Sequence, residues 1–129
     1  MCKTILIVDD EAHIRHVLAL KLQGTGYRVL TAMDGEEALE VYAAEKPDLM
    51  ITDYQMPYLS GLDLCRQLRQ RKANHVPIIM LTARGFDLTI EEMAEAGIEA
   101  LIGKPFSPKE VVQKVGELLQ SVSAEAARG

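Results

Sequence analysis

The sequence predicts an α/β domain in which five strands alternate with five helices, a (βα)5 chain folded as a doubly wound parallel sheet. Two observations support this prediction. Short apolar runs alternate with amphipathic stretches, and several runs are continuous and rich in Ile, Leu or Val, as expected of parallel strands covered on both faces. Strict alternation of strands and helices also requires right-handed crossovers, which place helices on both faces of the sheet.

The composition is that of one globular domain. The chain has 129 residues, 48% apolar and 26% charged, so it can bury its own core and is unlike a disordered segment. The formal charge of −5 and the lack of a basic patch in the sequence argue against direct contact with nucleic acid. The apolar run near the N-terminus is too short for a signal peptide or a membrane span, and two cysteines make no disulfide framework. We therefore expect a cytoplasmic protein.

Five apolar runs are predicted as the strands. They are short, and glycines, prolines or acidic residues follow most of them, which is typical of strands that end at turns. The runs are Thr4–Val8, Arg28–Ala32, Leu49–Thr52, Val76–Leu81 and Glu99–Ile102.

Apolar spacing and capping residues predict the first two helices. The first helix carries apolar side chains at helical spacing from Ile14 to Leu22, and Gly24 is its expected C-cap. The second begins at Asp34, which has Glu37 three residues later, a pattern typical of a helix N-terminus.

The third and fourth helices are predicted by the same signals. Leu62, Cys65 and Leu68 form an apolar stripe on the third helix, so we expect Cys65 to pack as a small hydrophobic side chain. The fourth helix covers roughly 87–96 and ends at Gly97.

The fifth helix has the clearest start in the sequence. The motif SPKE gives it Ser107 as N-cap, a proline at the first helical position and Glu110 to close a capping box. Its apolar face continues to the end of a domain that we assign to residues 1–122. Residues 123–129 carry no apolar pattern, and we expect them to be a short disordered tail.

Polar side chains follow four of the five predicted strands. Asp9 and Asp10 come directly after the first, Asp53 after the third, Thr82 after the fourth and Lys104 shortly after the fifth. Strands of a parallel sheet end at one edge, where ligands bind at the point at which the strand order reverses. If the first and third strands are neighbours at that point, the three carboxylates converge. Taken alone, the first two acids would equally well cap the first helix.

Converging carboxylates need a positive partner. Two of them about 4 Å apart repel each other by roughly 4 kcal/mol at an effective dielectric constant near 20. Lys104 offsets only part of this repulsion, so either one acid is pushed towards protonation or a divalent cation binds. The candidate ligands are oxygens, which favours Mg2+, an ion that often binds beside phosphate. Asp53 as nucleophile, Mg2+, Lys104 and Thr82 would together supply the groups that phosphoryl transfer requires.

The motifs VDDE, DYQMPYLSG, LTA and KPF occur in this order across the (βα)5 pattern. Together they resemble the receiver domain of bacterial two-component response regulators, in the chemotaxis-type single-domain architecture. The resemblance covers Thr4 to Val122, and it implies the flavodoxin-like strand order 2-1-3-4-5. It also implies a phosphorylation-dependent switch that catalyses only its own phosphorylation and dephosphorylation, not an enzyme that turns over a substrate.

The resemblance implies a role for each acidic residue. Asp53 matches the phosphoacceptor, which takes the phosphoryl group from a histidine kinase, a phosphotransfer protein or a small phosphodonor. Asp9 and Asp10 match the acidic pair that holds Mg2+ together with Asp53, with Asp10 the direct ligand. The backbone carbonyl of Gln55 would complete the metal ligands.

Further positions match residues that contact the phosphoryl group. Thr82 and Lys104 would contact its oxygens, and Ala83 would leave room for it and offer a backbone N–H. Pro105 would follow the lysine through a cis peptide bond. Phosphorylation would draw the threonine inward, rearrange the fourth helix and fifth strand, and so change the affinity for a downstream target protein.

Three positions bear on output and on the lifetime of the phosphoryl group. The family usually has Tyr, Phe or His three residues before the lysine, whereas this chain has Leu101, so the aromatic switch residue is absent. Lifetime is tuned in the family two residues after the aspartate and two after the threonine, which here are Gln55 and Arg84. We hypothesise that Arg84 lies over the phosphoryl group and impedes the attacking water.

Other functions remain open at the level of the sequence. A degenerate receiver would act by protein contact alone, without phosphorylation. A phosphohydrolase of the haloacid dehalogenase type would need a second acid where Gln55 stands, and a flavodoxin-like cofactor binder would need a phosphate-binding loop where the motif DDEAH stands. For the leading hypothesis we expect no membrane or nucleic-acid partner, and a dimer on activation stays open.

Overall fold

In the computed structural model of the chain, residues 3–71, 76–83 and 88–128 are described, with side chains described as far as residue 120; Cys2 and Arg84 lie outside these ranges. Strands and helices alternate throughout, as the sequence predicts. The elements are β1 (Thr4–Val8), α1 (Ala12–Thr25), β2 (Arg28–Ala32), α2 (Gly35–Glu45), β3 (Leu49–Asp53), α3 (Gly61–Gln70), β4 (Ile78–Thr82), α4 (Ile90–Ala96), β5 (Ile98–Gly103) and α5 (Pro108–Arg128).

The five strands form one parallel sheet in the order β2-β1-β3-β4-β5, which confirms the predicted topology. Strand β1 lies between β2 and β3, so the strand order reverses at β1. The register pairs Val8 with Thr52, which brings the residue after β1 beside Asp53, the last residue of β3. On the other side of β3, Asp53 pairs with Leu81.

Two apolar layers cover the two faces of the sheet. On one face, α2, α3 and α4 bury side chains such as Leu39, Cys65 and Ala96 against β1, β3 and β4. On the other face, α1 and α5 bury side chains such as Leu22 and Val115. Cys65 is fully buried, as predicted for a small core hydrophobe. With both faces covered, the edge at which the strands end is left for polar residues.

Helix α1 ends two residues later than predicted. The C-cap is Gly26, with φ of 108°, and its backbone N–H donates to the carbonyls of Leu22 and Gln23. Gly24 lies inside the helix, and the assignment of the C-cap to Gly24 was therefore wrong. The sequence has two glycines separated by one residue. Only the second, Gly26, has the left-handed backbone that glycine adopts without a steric penalty.

Two other element starts lie later than predicted. Strand β4 begins at Ile78 and not at Val76, because the intervening Pro77 has no N–H to donate to a neighbouring strand. Helix α4 begins at Ile90, since Thr89 caps it: the Thr89 hydroxyl accepts from the Glu92 N–H, and the Glu92 side chain accepts from the Thr89 N–H. This capping box was missed in the sequence.

Helix α5 continues to Arg128, beyond the domain boundary predicted at residue 122. The last residues, AEAAR, are strong helix formers, and this propensity favours continuation of the helix where no apolar pattern requires it. Among the described residues, no helix is both long enough and apolar enough to cross a membrane.

Candidate functional site

The candidate site lies at the edge where the parallel strands end. Asp9 follows β1, Asp53 ends β3, Thr82 ends β4 and Lys104 follows β5. Thr82 pairs with Gly103, and the Lys104 N–H donates to the Thr82 carbonyl at 2.7 Å, so the main chain fixes where the lysine leaves the sheet. The structure thus brings together the four polar strand ends that the sequence predicted.

The Lys104 ammonium lies between the carboxylates. Its Nζ is 3.1 Å from Asp53 Oδ1 and 3.3 Å from Asp9 Oδ2. It is also 3.9 Å from Glu11 Oε1, a contact that the sequence analysis did not identify. The peptide bond between Lys104 and Pro105 is cis, as the resemblance implied. One cation therefore bridges two buried acids from different strands.

Asp9 is fully buried, and each of its polar groups has a partner. Its N–H donates to the Ala32 carbonyl at 3.2 Å, and its Oδ1 accepts from the Glu11 N–H at 2.9 Å. Its carbonyl accepts from Nη1 of Arg15 at 2.7 Å, and its Oδ2 faces Lys104. These contacts fix the loop between β1 and α1 against the sheet.

The carboxyl groups of Asp9 and Asp53 are harder to ionise than those of ordinary aspartates. Burial and the neighbouring Asp9 charge raise the pKa of Asp53 to about 6, against the lowering effect of Lys104. Burial also raises the pKa of Asp9, although the Glu11 N–H and Lys104 oppose it. Burial lowers the pKa of Lys104, but the hydrogen bond and charge of Asp53 outweigh it, so the lysine pKa is raised. The positive charge of Lys104 alone therefore does not compensate the cost of ionising the two buried carboxyl groups.

Asp9, Asp10 and Asp53 form a group whose carboxylate oxygens lie within 4.8 Å of one another. Asp9 and Asp53 are buried, whereas Asp10 is exposed. A hard divalent cation suits this set, because all the donors are oxygens and because burial, together with the charge of Asp9, raises the pKa of Asp53. The residues present therefore suit a hard divalent cation.

Comparison with known proteins identifies the family. A model of the response regulator receiver domain matches residues 5–116. The chain belongs to the response regulator receiver domain family. It is a signalling domain, and its group of aspartates is one that could bind a metal ion.

Curated relatives of this receiver domain include two bacterial regulators. The alkaline phosphatase synthesis transcriptional regulatory protein PhoP of Bacillus subtilis is 45% identical over 93% of this chain and 50% of its own length. The phosphate regulon transcriptional regulatory protein PhoB of Pseudomonas aeruginosa is 42% identical over 92% of this chain and 52% of its own length. The receiver domain thus spans about half the length of these relatives.

Solved structures show the same fold. The chemotaxis response regulator CheY4 of Vibrio cholerae is 31% identical, with a TM-score of 0.82 over 92% of this chain and 99% of its own. A putative response regulator from Chloroflexus aurantiacus is 39% identical, with a TM-score of 0.83 over 93% of this chain and 99% of its own.

The remaining predicted positions of the receiver domain differ in burial. The Thr82 hydroxyl is almost fully buried and donates to the Ala83 carbonyl at 3.1 Å. Gln55 and Ala83 are exposed. Leu101 is half-buried and packs against the core layer under α2, α3 and α4, so this position contributes packing where the family usually has an aromatic side chain.

Sequence reasoning missed two residues that shape the receiver domain's site. Gly61, the first residue of α3, lies so close to Asp53 that a Cβ there would overlap the Asp53 carbonyl and come within 3.1 Å of Met80 Cε. The signal was present as the glycine that closes the motif DYQMPYLSG, but its contact was not foreseen. Arg15, which holds the Asp9 carbonyl, gave no signal beyond its place on the first helix.

Proposed function

We propose that this receiver domain is a phosphorylation-dependent signalling switch, which accepts a phosphoryl group onto Asp53 with the help of Mg2+ and then changes its affinity for partners. The observation that carries this proposal is the bridge from Lys104 Nζ to Asp53 Oδ1 at 3.1 Å and to Asp9 Oδ2 at 3.3 Å, beside a third carboxylate. A carboxylate nucleophile is thereby held next to a fixed cation and a set of metal-ligand oxygens.

Mg2+ would be held by Asp9, Asp10, Asp53 and the backbone carbonyl of Gln55. When bound, it would neutralise charge on the phosphoryl oxygens and on the crowded carboxylates. The raised pKa of Asp53 supports this assignment, because a group that resists ionisation by itself becomes a good nucleophile only where positive charge stabilises its anion.

The reaction is a displacement at phosphorus. An Asp53 carboxylate oxygen forms a bond to phosphorus, and the bond between phosphorus and the donor breaks, its electron pair leaving with the donor. The product is an acyl phosphate on Asp53. Lys104 stabilises the carboxylate before the reaction and would contact a phosphoryl oxygen after it. Hydrolysis by water reverses the modification and returns the free carboxylate.

Thr82 and Ala83 would form the other side of the phosphoryl site. The Thr82 hydroxyl donates to its neighbour's carbonyl at 3.1 Å, and a turn about its side-chain bond would redirect it to a phosphoryl oxygen. Ala83 is small and exposed, so it would admit the group and offer its N–H. Movement of Thr82 would loosen the packing near β5 and α4. The change would then be transmitted with Leu101, and not an aromatic residue, at the switch position.

The expected partners are a histidine kinase or phosphotransfer protein and a downstream target protein, all in the cytoplasm, with dimerisation on activation as a further possibility. PhoP and PhoB are named as transcriptional regulators, and they are about twice as long as this chain. The formal charge of −5 disfavours contact with DNA phosphates. We therefore assign the switch, and not nucleic-acid binding, to this chain.

The test is the intact mass of the protein after incubation with acetyl phosphate, with and without Mg2+. We expect one phosphoryl increment in the wild type, no increment in Asp53→Asn, and an increment in the matched control Asp63→Asn, which changes an exposed carboxylate on α3. No increment in folded wild-type protein with Mg2+ would contradict the switch and favour a degenerate receiver that acts by contact alone.

A further inference from the structure

Arg15 contacts the main chain of the acidic loop. Its Nη1 donates to the carbonyl oxygen of Asp9 at 2.7 Å, from the first turn of α1 back to the residue that follows β1. The side chain is half-buried. Within the described ranges, no carboxylate comes within 4.0 Å of this guanidinium, so its partner is a peptide group and not an acid.

The position of this carbonyl determines the position of the next residue. The Asp9 carbonyl belongs to the planar peptide unit that also contains the Asp10 nitrogen, so a bond that fixes the oxygen fixes the direction in which Asp10 leaves. Asp10 is the exposed member of the aspartate group, whereas the side chains of Asp9 and Asp53 are fixed by burial and by Lys104. Glu11, the N-cap of α1, makes no side-chain capping bond, but its N–H donates to Asp9 Oδ1 at 2.9 Å, so this bond and the bond from Arg15 hold the peptide units on the two sides of Asp10.

We propose that Arg15 is a positioning residue of the cation site, which directs the Asp10 carboxylate towards Asp9 and Asp53 by holding the peptide unit before it. The inference rests on the proposed function, because it takes the aspartate group as the Mg2+ site of the switch. Arg15 itself contacts neither the phosphoryl group nor the ion.

The positioning role and the charge of Arg15 predict opposite effects on cation binding when the side chain is removed. Arg15 carries a positive charge near three carboxylates, so if charge alone mattered, its removal would strengthen cation binding. If Arg15 acts through the peptide unit, its removal releases Asp10 and weakens cation binding. Loss of a group that orients metal ligands typically costs ten- to a hundredfold in metal affinity.

The experiment measures the Mg2+ dissociation constant from the NMR shifts of the Asp10 and Asp53 amides during titration. For Arg15→Met, which keeps the length of the side chain and removes its donors, we expect the constant to rise about tenfold. Arg15→Lys, which keeps a charged donor, should recover most of the affinity. The control Arg28→Met removes the same charge from an ion pair with Glu45 at the opposite end of the strands and should leave the constant unchanged.

Equal or tighter Mg2+ binding by Arg15→Met would overturn the proposal. If that variant does not fold, Arg15→Gln, whose chain is too short to reach the Asp9 carbonyl, is titrated with the same expectation. At saturating Mg2+, phosphorylation of Arg15→Met by acetyl phosphate should return to the wild-type rate, and a lower plateau would also overturn it. Failure of wild-type protein to accept a phosphoryl group would refute the switch instead, since the titration is independent of phosphorylation.

Discussion

At the scale of single residues, the ionised form of Asp53 lowers the stability of the folded protein. Its pKa is raised by burial and by the charge of Asp9 to about 6, above the ordinary value of 3.8. A group whose pKa is higher in the folded than in the unfolded protein stabilises the fold fully at low pH, and this contribution is lost as the pH rises through the folded-state value. Without a metal ion, the destabilisation that follows from ionising Asp53 therefore develops between about pH 4 and pH 6 and is complete above that range.

We predict that Asp53→Asn stabilises the metal-free protein in a pH-dependent way. The asparagine stays neutral, so the gain should be small near pH 3.5, below the ordinary pKa of 3.8, and should approach an upper limit of about 3 kcal/mol at pH 8. Urea denaturation in EDTA at both pH values measures it. Asp63→Asn, at an exposed carboxylate, should change little at either pH. An equal gain for Asp53→Asn at pH 3.5 and pH 8 would contradict the argument.

A second residue-scale prediction concerns the lifetime of the phosphoryl group. Arg84 stands two residues after Thr82, and its long cationic side chain is hypothesised to shield the acyl phosphate from water. Arg84→Ala should therefore speed dephosphorylation severalfold, measured as the loss of the phosphoryl mass increment after acetyl phosphate is removed. Arg28→Ala, far from the strand ends, is the matched control. An unchanged rate in Arg84→Ala would refute the shielding hypothesis.

At the scale of elements, the sequence predicted every strand and helix in the right order but missed several ends. Periodicity reports which residues face the core, and it is therefore reliable in the middle of an element. Ends depend on one backbone angle or one hydrogen bond. Gly24 and Gly26 are equivalent in the sequence, and only the backbone shows that Gly26 is the C-cap. Thr89 and Glu92 fit the pattern of a capping box, but the prediction started the helix near residue 87.

The junction of β3 and α3 gives an element-scale prediction. A Cβ at Gly61 would come within 3.0 Å of the Asp53 carbonyl carbon, so Gly61→Ala must push α3 away from the end of β3. We expect a loss of about 1–3 kcal/mol in the free energy of unfolding and slower phosphorylation, because the displaced main chain carries Asp53.

The matched control for Gly61→Ala is Gly116→Ala. Gly116 lies inside α5, and a Cβ there meets nothing within 4 Å. This change should raise the free energy of unfolding by up to about 1 kcal/mol through helix propensity alone. Chemical denaturation measures the free energy of unfolding of both variants. A change of the same sign in the two would show that the contact with Asp53 is not what requires a glycine at position 61.

At the scale of the whole molecule, the convergence of the polar residues was predictable and their exact contacts were not. Parallel topology alone brings the ends of β1, β3, β4 and β5 to one edge, so acids and a lysine placed after strands must approach one another. The pairing of Lys104 with Asp9, which lie 95 residues apart, depends on the side-chain conformations at that edge. So does the bond from Arg15 to the Asp9 carbonyl.

The last prediction treats folding and cation binding as linked equilibria of the whole chain. If Mg2+ binds the folded state alone, ten times its dissociation constant should raise the free energy of unfolding by about 1.4 kcal/mol, or the melting temperature by roughly 3–6 °C. The gain should be largest at pH 8 and fall by pH 5, because protons compete for Asp53, whose pKa is about 6. Thermal melts of wild type and Asp10→Asn, which lacks one ligand charge, measure it. A chain with a formal charge of −5 also responds to screening by salt. An equal rise in NaCl of matched ionic strength would therefore refute a specific Mg2+ site.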